Sequence, residues 1–152
     1  MRAFFNQLFP PTIDNTYRGR KPALWLFGVL LLMRIVISLN SIFNGYSVAT
    51  SADGIPLDTY PLTAAQTIVS LWALLGLSGL MLCLICLLAL IRYRSMVPLL
   101  FALLLVGHLS GRLILQFVPL VRTGSPPAGY INLTFFALLI AGLTLSLWRR
   151  PT

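Results

Sequence analysis

The side chains that could do chemistry in this sequence are two arginines and a histidine inside long apolar runs. Arg34 is the twelfth residue of a run that begins at Ala23. His108, Arg112 and Gln116 follow one another at intervals of four in a later run, which places them in one column on a helix face. A charge at mid-membrane costs about 2.5 kcal/mol or more, so these side chains are expected to face protein, water or a ligand.

Further polar side chains are expected at the same depth. Asn40 follows Arg34, and Gln66 opens a run that crosses in the opposite direction. With Arg34 and the polar column, they predict a positively charged ligand-binding pocket in the outer half of a helix bundle. No run contains an acidic residue, so the candidate counter-charges are Asp53 and Asp58 in the loop between the runs, backbone carbonyls, a lipid phosphate, or an anionic or carbonyl-bearing ligand such as a quinone. The alternative is that the arginines hydrogen-bond other helices or snorkel toward an interface.

The residues expected of an enzyme or a metal site are scarce. Cys83 and Cys86 match C-x-x-C, but they lie among leucines where a thiolate would be strongly disfavoured, so we interpret them as small apolar side chains. One histidine, two cysteines and three acids offer little for a zinc site. We therefore expect a non-enzymatic protein with no metal, and with lipid or a quinone as the possible ligand.

The elements that carry these side chains are predicted from composition. Of the 152 residues, 58% are hydrophobic and 9% are charged, whereas a soluble domain has roughly 25% charged residues. Mean hydropathy is +0.90. A helix needs about 20 apolar residues to cross a bilayer, and four runs satisfy this: 23–43, 64–91, 96–118 and 131–148. The sequence predicts an all-α, four-helix transmembrane bundle with antiparallel up-down topology. It forms one domain over residues 1–152, with an outer loop at 44–63.

The positions of the basic residues predict the orientation. The net charge is +8, from 11 basic and three acidic residues. Only Arg122 lies on one side of the runs, and the other side has eight: Arg2, Arg18, Arg20, Lys21, Arg92, Arg94, Arg149 and Arg150. Lysine and arginine concentrate on the cytoplasmic side, so both termini are predicted to be cytoplasmic, in a bacterial inner membrane. Since these charges flank apolar runs, the predicted partners are membrane lipids and not nucleic acid.

Small residues predict where helices pack. Gly76 and Gly79 lie in the second run, and Gly107 and Gly111 form a G-x-x-x-G pair in the third. Such residues let two membrane helices approach closely. We expect a protein partner in the membrane, either further copies of the chain or a larger complex.

Local patterns predict helix starts and an N-terminal element. The sequence TAAQ at residues 63–66 matches a capping box for the second helix, and Ser95 is a candidate cap for the third. Phe4, Phe5, Leu8 and Phe9 predict an interfacial segment on the inner leaflet. A docking surface for a partner and a loosely ordered tail are the alternatives.

Two stretches carry a family resemblance. One is LMRIV at residues 32–36, followed by FNG at 43–45. The other is 74–105, where a Gly/Leu-rich helix ends in the basic turn RYR at 92–94. Over about half its length the chain resembles the DoxX-like group of small four-helix membrane proteins, some of which are linked to quinone-dependent redox complexes. The resemblance implies that Arg34 takes the position of that group's first-helix arginine. The group often has a lysine soon after the first-helix glycine, whereas YSV follows here.

Together these features predict a non-enzymatic accessory or structural membrane protein. It would pack with partner subunits and bind lipid or a quinone-like molecule near Arg34, His108 and Arg112. A small anion transporter or channel that uses the same arginines is the alternative, followed by a subunit of a quinone-linked redox complex. Residues 96–106 contain no polar side chain, which argues against a continuous path for transport.

Overall fold

The structure, a computed structural model, describes residues 2–148, with side chains from residue 5 onward. This part is helical and contains no strand. The α-helices are α1 (Arg2–Leu8), α2 (Lys21–Phe43), α3 (Gly45–Ser47), α4 (Leu62–Arg92), α5 (Val97–Phe117) and α6 (Ala128–Leu147). Of these, α2, α4, α5 and α6 are long and apolar enough to cross a membrane, which confirms the all-α class and the four candidate spans. Arg149, Arg150 and the side chains of Arg2 and Phe4 lie outside the described residues.

Two helix starts differ from the sequence prediction. The capping box at 63–66 is wrong, because α4 begins earlier, at Leu62, with no side-chain cap hydrogen bond. Pro61 precedes the helix, and its carbonyl accepts the hydrogen bond of the Ala65 N–H. Ser95 does not cap α5 either. Its hydroxyl exchanges hydrogen bonds with the backbone of Asp14, so a contact distant in sequence replaces the local one.

The closest helix pair is α2 and α4, and small residues make that approach possible. A Cβ added to Gly76 would lie 2.8 Å from the backbone oxygen of Ser38, and one added to Gly79 would lie 2.8 Å from the Ser38 hydroxyl oxygen. Ser38 and Ser41 are buried at this contact. The Ser41 hydroxyl donates to the Ile37 carbonyl, so it needs no partner across the interface.

An apolar core joins all four long helices. Phe27 of α2 and Phe101 of α5 meet edge to face, with ring centroids 4.8 Å apart. Cys86 of α4 and Leu139 of α6 complete the same buried cluster. Gly142 makes room for the Phe101 ring, because a Cβ there would lie 2.2 Å from it. Cys86 is a free, buried thiol, which fits its interpretation as a small apolar side chain.

Residues 5–20, here called the N-terminal segment, are docked on the helix ends. The Gln7 side-chain amide donates to the Ser146 carbonyl at 2.8 Å, and the Tyr17 hydroxyl donates to the Ser146 hydroxyl at 3.0 Å. The Arg20 N–H donates to the Leu145 carbonyl. The last turn of a helix has carbonyls without intrahelical partners, and the segment satisfies two of them in α6. A loosely ordered tail is therefore wrong for residues 5–20.

The connection between α2 and α4 is more structured than the predicted loop 44–63. It contains α3, a π-helical turn (Val48–Ala52) and a 3-10 turn (Leu57–Thr59). Ile55 and Leu57 pack with Ala65 of α4 in a second small core. The Thr123 N–H donates to the Gly54 carbonyl at 2.8 Å, which ties this connection to the one between α5 and α6. We call this the loop end of the bundle, and the opposite end the N-terminal end.

The half of α5 nearest the loop end stands clear of the other helices. Every residue from 109 to 125 is exposed, so the described elements cover this half of the helix only in part. A Cβ added to Gly107 or Gly111 would meet nothing within 4 Å. The close helix approach expected at this glycine pair is thus not made within residues 2–148, and that face of α5 is open.

Candidate ligand-binding site

Three long helices bring a cation, a histidine and two aromatic rings together beside the open half of α5. The guanidinium carbon of Arg34 on α2 lies 5.4 Å from the ring centroid of Phe135 on α6. The His108 ring on α5 stacks on Phe136 with centroids 5.7 Å apart, and lies 6.0 Å from Phe135. We call Arg34, His108, Arg112, Phe135 and Phe136 the cationic cluster. The face of the Phe135 ring holds the Arg34 charge by cation–π attraction in place of a carboxylate.

One atom of this cluster has an unmet hydrogen-bonding requirement. The Nε2 atom of His108 is buried and has no hydrogen-bond partner among the described residues, while the imidazole also interacts with the Asn132 backbone. Leaving a buried polar group unpaired costs about 1–3 kcal/mol. A hydrogen-bond acceptor or donor placed beside Nε2 would recover that free energy. The cluster therefore favours a ligand that places a polar atom there.

The charge at the cluster is positive. Arg34 and Arg112 both lie close enough to His108 for their charges to act on its imidazole. Arg112 is exposed and makes no hydrogen bond within residues 2–148. The three acids of the sequence all lie outside the four long helices. An electron-rich oxygen is therefore the ligand atom that the electrostatics favour.

The structure brings together only part of the predicted site. Arg34, His108 and Arg112 are grouped as described above. Asn40 lies at the end of α2, where its side-chain oxygen accepts a hydrogen bond from Asn44 at 2.8 Å. Gln66 and Gln116 are exposed and make no side-chain hydrogen bond within residues 2–148. The polar residues predicted at one depth thus do not converge on one pocket.

The two candidate counter-charges have partners elsewhere, which corrects the expectation that they fold in toward the arginines. Asp58 accepts a hydrogen bond from the Tyr46 hydroxyl. Asp53 is half-buried, and the nearest compensating charge is that of Arg122. The physical reason is proximity. Tyr46 belongs to the same connection as Asp58, and the Gly54–Thr123 hydrogen bond brings Arg122 toward Asp53, so neither acid has to cross into the apolar half of the bundle.

Asp53 leads to a pH-dependent prediction. Burial raises the pKa of Asp53 above its usual 3.8, and the charge of Arg122 offsets only part of that effect. A raised pKa in the folded state means that the ionised carboxylate lowers stability once the pH rises above 3.8. We expect Asp53→Asn to raise the thermal midpoint by roughly 1–3 °C at pH 7 and to have no effect near pH 3.5. A variant less stable than the parent at pH 7 would show that the Arg122 contact outweighs burial.

Phe135 and Phe136 are functional candidates that the sequence reasoning missed. The sequence does contain an indication, because these two aromatic residues lie about as many residues from the 118–127 connection as His108 does, and so at a similar depth in the bundle. Aromatic residues are common in apolar runs, however, and only the packing of α5 on α6 shows that these two contact the imidazole.

The structure also contains a small, partly open pocket at the opposite end of the bundle. It lies between the N-terminal segment and the start of α5, and Gln7, Asp14, Tyr17 and Ser95 are among its polar lining residues. Its volume is about 20 Å³, which is room for about one water molecule and none for an organic ligand. Within residues 2–148 there is also no group of three or more His, Cys, Asp or Glu side chains placed to hold a metal ion.

Comparison with known proteins adds no relative from which a function could be transferred. No protein-family model, no curated protein and no solved structure matches this chain. The resemblance to the DoxX-like group therefore stays a prediction. The function has to be argued from the cationic cluster and its surroundings.

Proposed function

We propose that α2, α4, α5 and α6 cross a bacterial cytoplasmic membrane in antiparallel up-down order, with both termini in the cytoplasm. Contacts at the two ends of the bundle support this arrangement. Asp14 contacts Ser95 and Gln7 contacts Ser146, so the N-terminal segment touches both the α4–α5 turn and the end of α6. The Gly54–Thr123 hydrogen bond joins the two other connections. In an up-down bundle the N-terminal segment, the α4–α5 turn and the end of α6 lie at one end, and the two other connections lie at the opposite end. The basic residues favour the cytoplasm for the N-terminal end.

Within this arrangement the chain acts as a non-enzymatic accessory protein that binds an oxygen-bearing amphiphile at the cationic cluster. The observation that carries this proposal is the buried, unpartnered Nε2 of His108 beside Arg34. A quinone carbonyl or a lipid phosphate supplies the missing hydrogen-bond partner, and both come attached to a body that is soluble in the membrane. A quinone ring can in addition stack on Phe135 or Phe136.

The surroundings favour binding over anion transport. The core around Phe27 and Phe101 fills the bundle between the cluster and the N-terminal end. The open half of α5 instead leaves Arg112 exposed at the side of the cluster. A ligand that arrives through the lipid needs only this lateral opening, whereas a transported anion needs a polar path to the other end.

The accessory role follows from the same open surface. Residues 109–125 are exposed within residues 2–148, and the pair Gly107 and Gly111 offers a face that a second membrane helix can approach closely. Partner subunits that pack there would also cover Arg112. The proposed partner is a membrane protein, as a further copy of this chain or as a member of a larger complex.

The test is retention of the ligand during purification in mild detergent. We expect the parent chain to retain a quinone or a phospholipid, and Arg34→Leu and His108→Leu each to reduce its amount about 10-fold or more, because a charged hydrogen bond contributes about 1.5–3 kcal/mol. Arg122→Leu is the matched control, since Arg122 is exposed in the connection between α5 and α6 and is not a member of the cluster. Mass spectrometry of the extract identifies the molecule, and ultraviolet absorbance that changes on reduction separates a quinone from a phospholipid.

Two results would contradict the binding proposal. One is equal retention by the parent and by both cluster variants. The other is an equal loss in Arg122→Leu, which would show that retention depends on total charge and not on the cluster. Thermal unfolding of each variant must accompany the measurement, so that a failure to fold is not read as a loss of ligand.

A further inference from the structure

Five basic side chains surround the N-terminal end, away from the cationic cluster. Arg18, Arg20 and Lys21 lie at the junction of the N-terminal segment with α2, and Arg92 and Arg94 lie at the turn from α4 to α5. We call these five residues the basic rim. We propose that the basic rim and the docked N-terminal segment form one binding surface for the phosphate groups of anionic lipids in the adjoining leaflet.

The one acid at this end neutralises little of the charge. Asp14 accepts hydrogen bonds from the backbone N–H and the hydroxyl of Thr16, and these bonds lower the pKa of its carboxyl group. The ionised carboxylate lies near Arg18. The other two acids of the chain are at the loop end. Four of the five rim charges are thus left for a partner, and the partner that fits them is anionic.

Two of the rim arginines are held in place before any ligand binds. The Arg20 guanidinium stacks over the Trp148 ring at 4.4 Å, while its backbone N–H donates to Leu145. Arg94 donates from Nε to the Leu90 carbonyl at 3.1 Å, and its two Nη groups remain available. A guanidinium already fixed by one contact loses less conformational entropy when it binds an oxyanion.

The apolar side chains at this end indicate a lipid surface as the source of the phosphate. Gln7 is only 7% exposed and pins the N-terminal segment to α6, while Phe9 and Ile13 are 54% and 60% exposed. Trp25, in the first turns of α2, is 80% exposed. Apolar and tryptophan side chains beside cations are typical of segments that lie in the headgroup region of a bilayer. A soluble anion would make no use of them.

Native mass spectrometry of the full chain tests this inference. The detergent-solubilised protein is mixed with equal amounts of phosphatidylglycerol, which is anionic, and phosphatidylcholine, which is zwitterionic. We expect the parent to retain the anionic lipid in roughly threefold excess or more. The triple change Lys21→Gln, Arg92→Gln and Arg94→Gln should bring the two lipids to equal retention. Single changes Arg94→Gln and Arg122→Gln form a matched pair, and only the first should lower the preference.

Further measurements distinguish a lipid phosphate from free phosphate, and the basic rim from the cationic cluster. Excess inorganic phosphate should leave lipid retention unchanged, and displacement would mean that the rim recognises a free anion. Phe9→Ser with Ile13→Ser should reduce retention of the anionic lipid. The triple change should leave the Arg34-dependent part of ligand retention unchanged, so that failure at the rim and failure at the cationic cluster are seen independently. Equal retention of both lipids by the parent, or a preference that survives the triple change, would overturn the inference.

Discussion

Replacing Gly76 with valine is expected to force α2 and α4 apart and to destabilise the whole bundle. A Cβ at this position would lie 2.8 Å from the Ser38 backbone oxygen, 2.9 Å from the Ser41 Cβ and 3.1 Å from a side-chain carbon of Ile42. Backbone atoms of a neighbouring helix cannot move aside as the end of a flexible side chain can. Overpacking of this kind typically costs about 1–3 kcal/mol, and the two further methyl groups of valine place this variant at the upper end of that range.

The measurement is thermal unfolding in a mild detergent, with Gly111→Val as the control. A loss of about 3 kcal/mol corresponds to a drop of roughly 6–12 °C for a chain of this size. Gly111 also lies in a long apolar helix, but a Cβ there meets nothing within 4 Å in the described part of the chain. Its variant should unfold within about 2 °C of the parent. Equal destabilisation of the two would show that the α2–α4 contact is not what Gly76 protects.

Gly19→Ala is expected to release the N-terminal segment while the four long helices stay folded. A Cβ at residue 19 would lie 2.3 Å from the Ser146 backbone oxygen and 2.6 Å from the Tyr17 hydroxyl oxygen. Ser146 is fully buried, so it cannot retreat without disturbing α6. The less costly response is for the segment to move away, which breaks the hydrogen bonds from Gln7 and Tyr17 to Ser146.

Limited trypsin digestion reports this release, because Arg18 and Arg20 flank the substituted residue. The parent should be cleaved slowly there, since Gly19 is buried and the Arg20 N–H is hydrogen-bonded to Leu145. Gly19→Ala should be cleaved about 10-fold faster or more, because cleavage follows the population of the open form. Gly28→Ala is the control, since a Cβ there makes an ordinary 3.7 Å contact with Leu90. Unchanged cleavage in Gly19→Ala would mean that the segment tolerates the extra methyl group in its docked position.

The long helices were predictable because their signal is local. The runs predicted at 23–43, 64–91, 96–118 and 131–148 differ from the observed helices by at most three residues at each end. Apolar composition over 20 residues is enough to identify such a helix. Gln7 and Ser146 are 139 residues apart in the sequence, and the residues around each of them do not indicate that the two are in contact. Ser95 shows the same limit, because its local sequence suggests a helix cap while its actual partner is Asp14.

The sequence predicts the charged residues of the candidate site but not which other residues join them. Arg34 and His108 stand out in any apolar run, and the structure places them within reach of one another. Whether Asn40, Gln66 and Gln116 join them depends on helix rotation and on how far α5 stands from its neighbours, which no residue pattern encodes. The sequence alone suggests Asp53 and Asp58 as counter-charges for the arginines, because it offers no other acids near the loop end. Their actual partners, Arg122 and Tyr46, became visible only once the connections were folded.

The bond between Gln7 and the Ser146 carbonyl also imposes an order of assembly. Gln7 is translated early, yet its acceptor is made only after all four long helices have been added. Until then the N-terminal segment has no site on α6, and its buried glutamine amide has to remain solvated. Docking can therefore only follow the formation of α6, and it reports that α6 has packed in register with the rest of the bundle. A chain that stalls before α6 is complete leaves the backbone at Gly19 and Arg20 undocked, which gives a protease a means of distinguishing unfinished copies from finished ones.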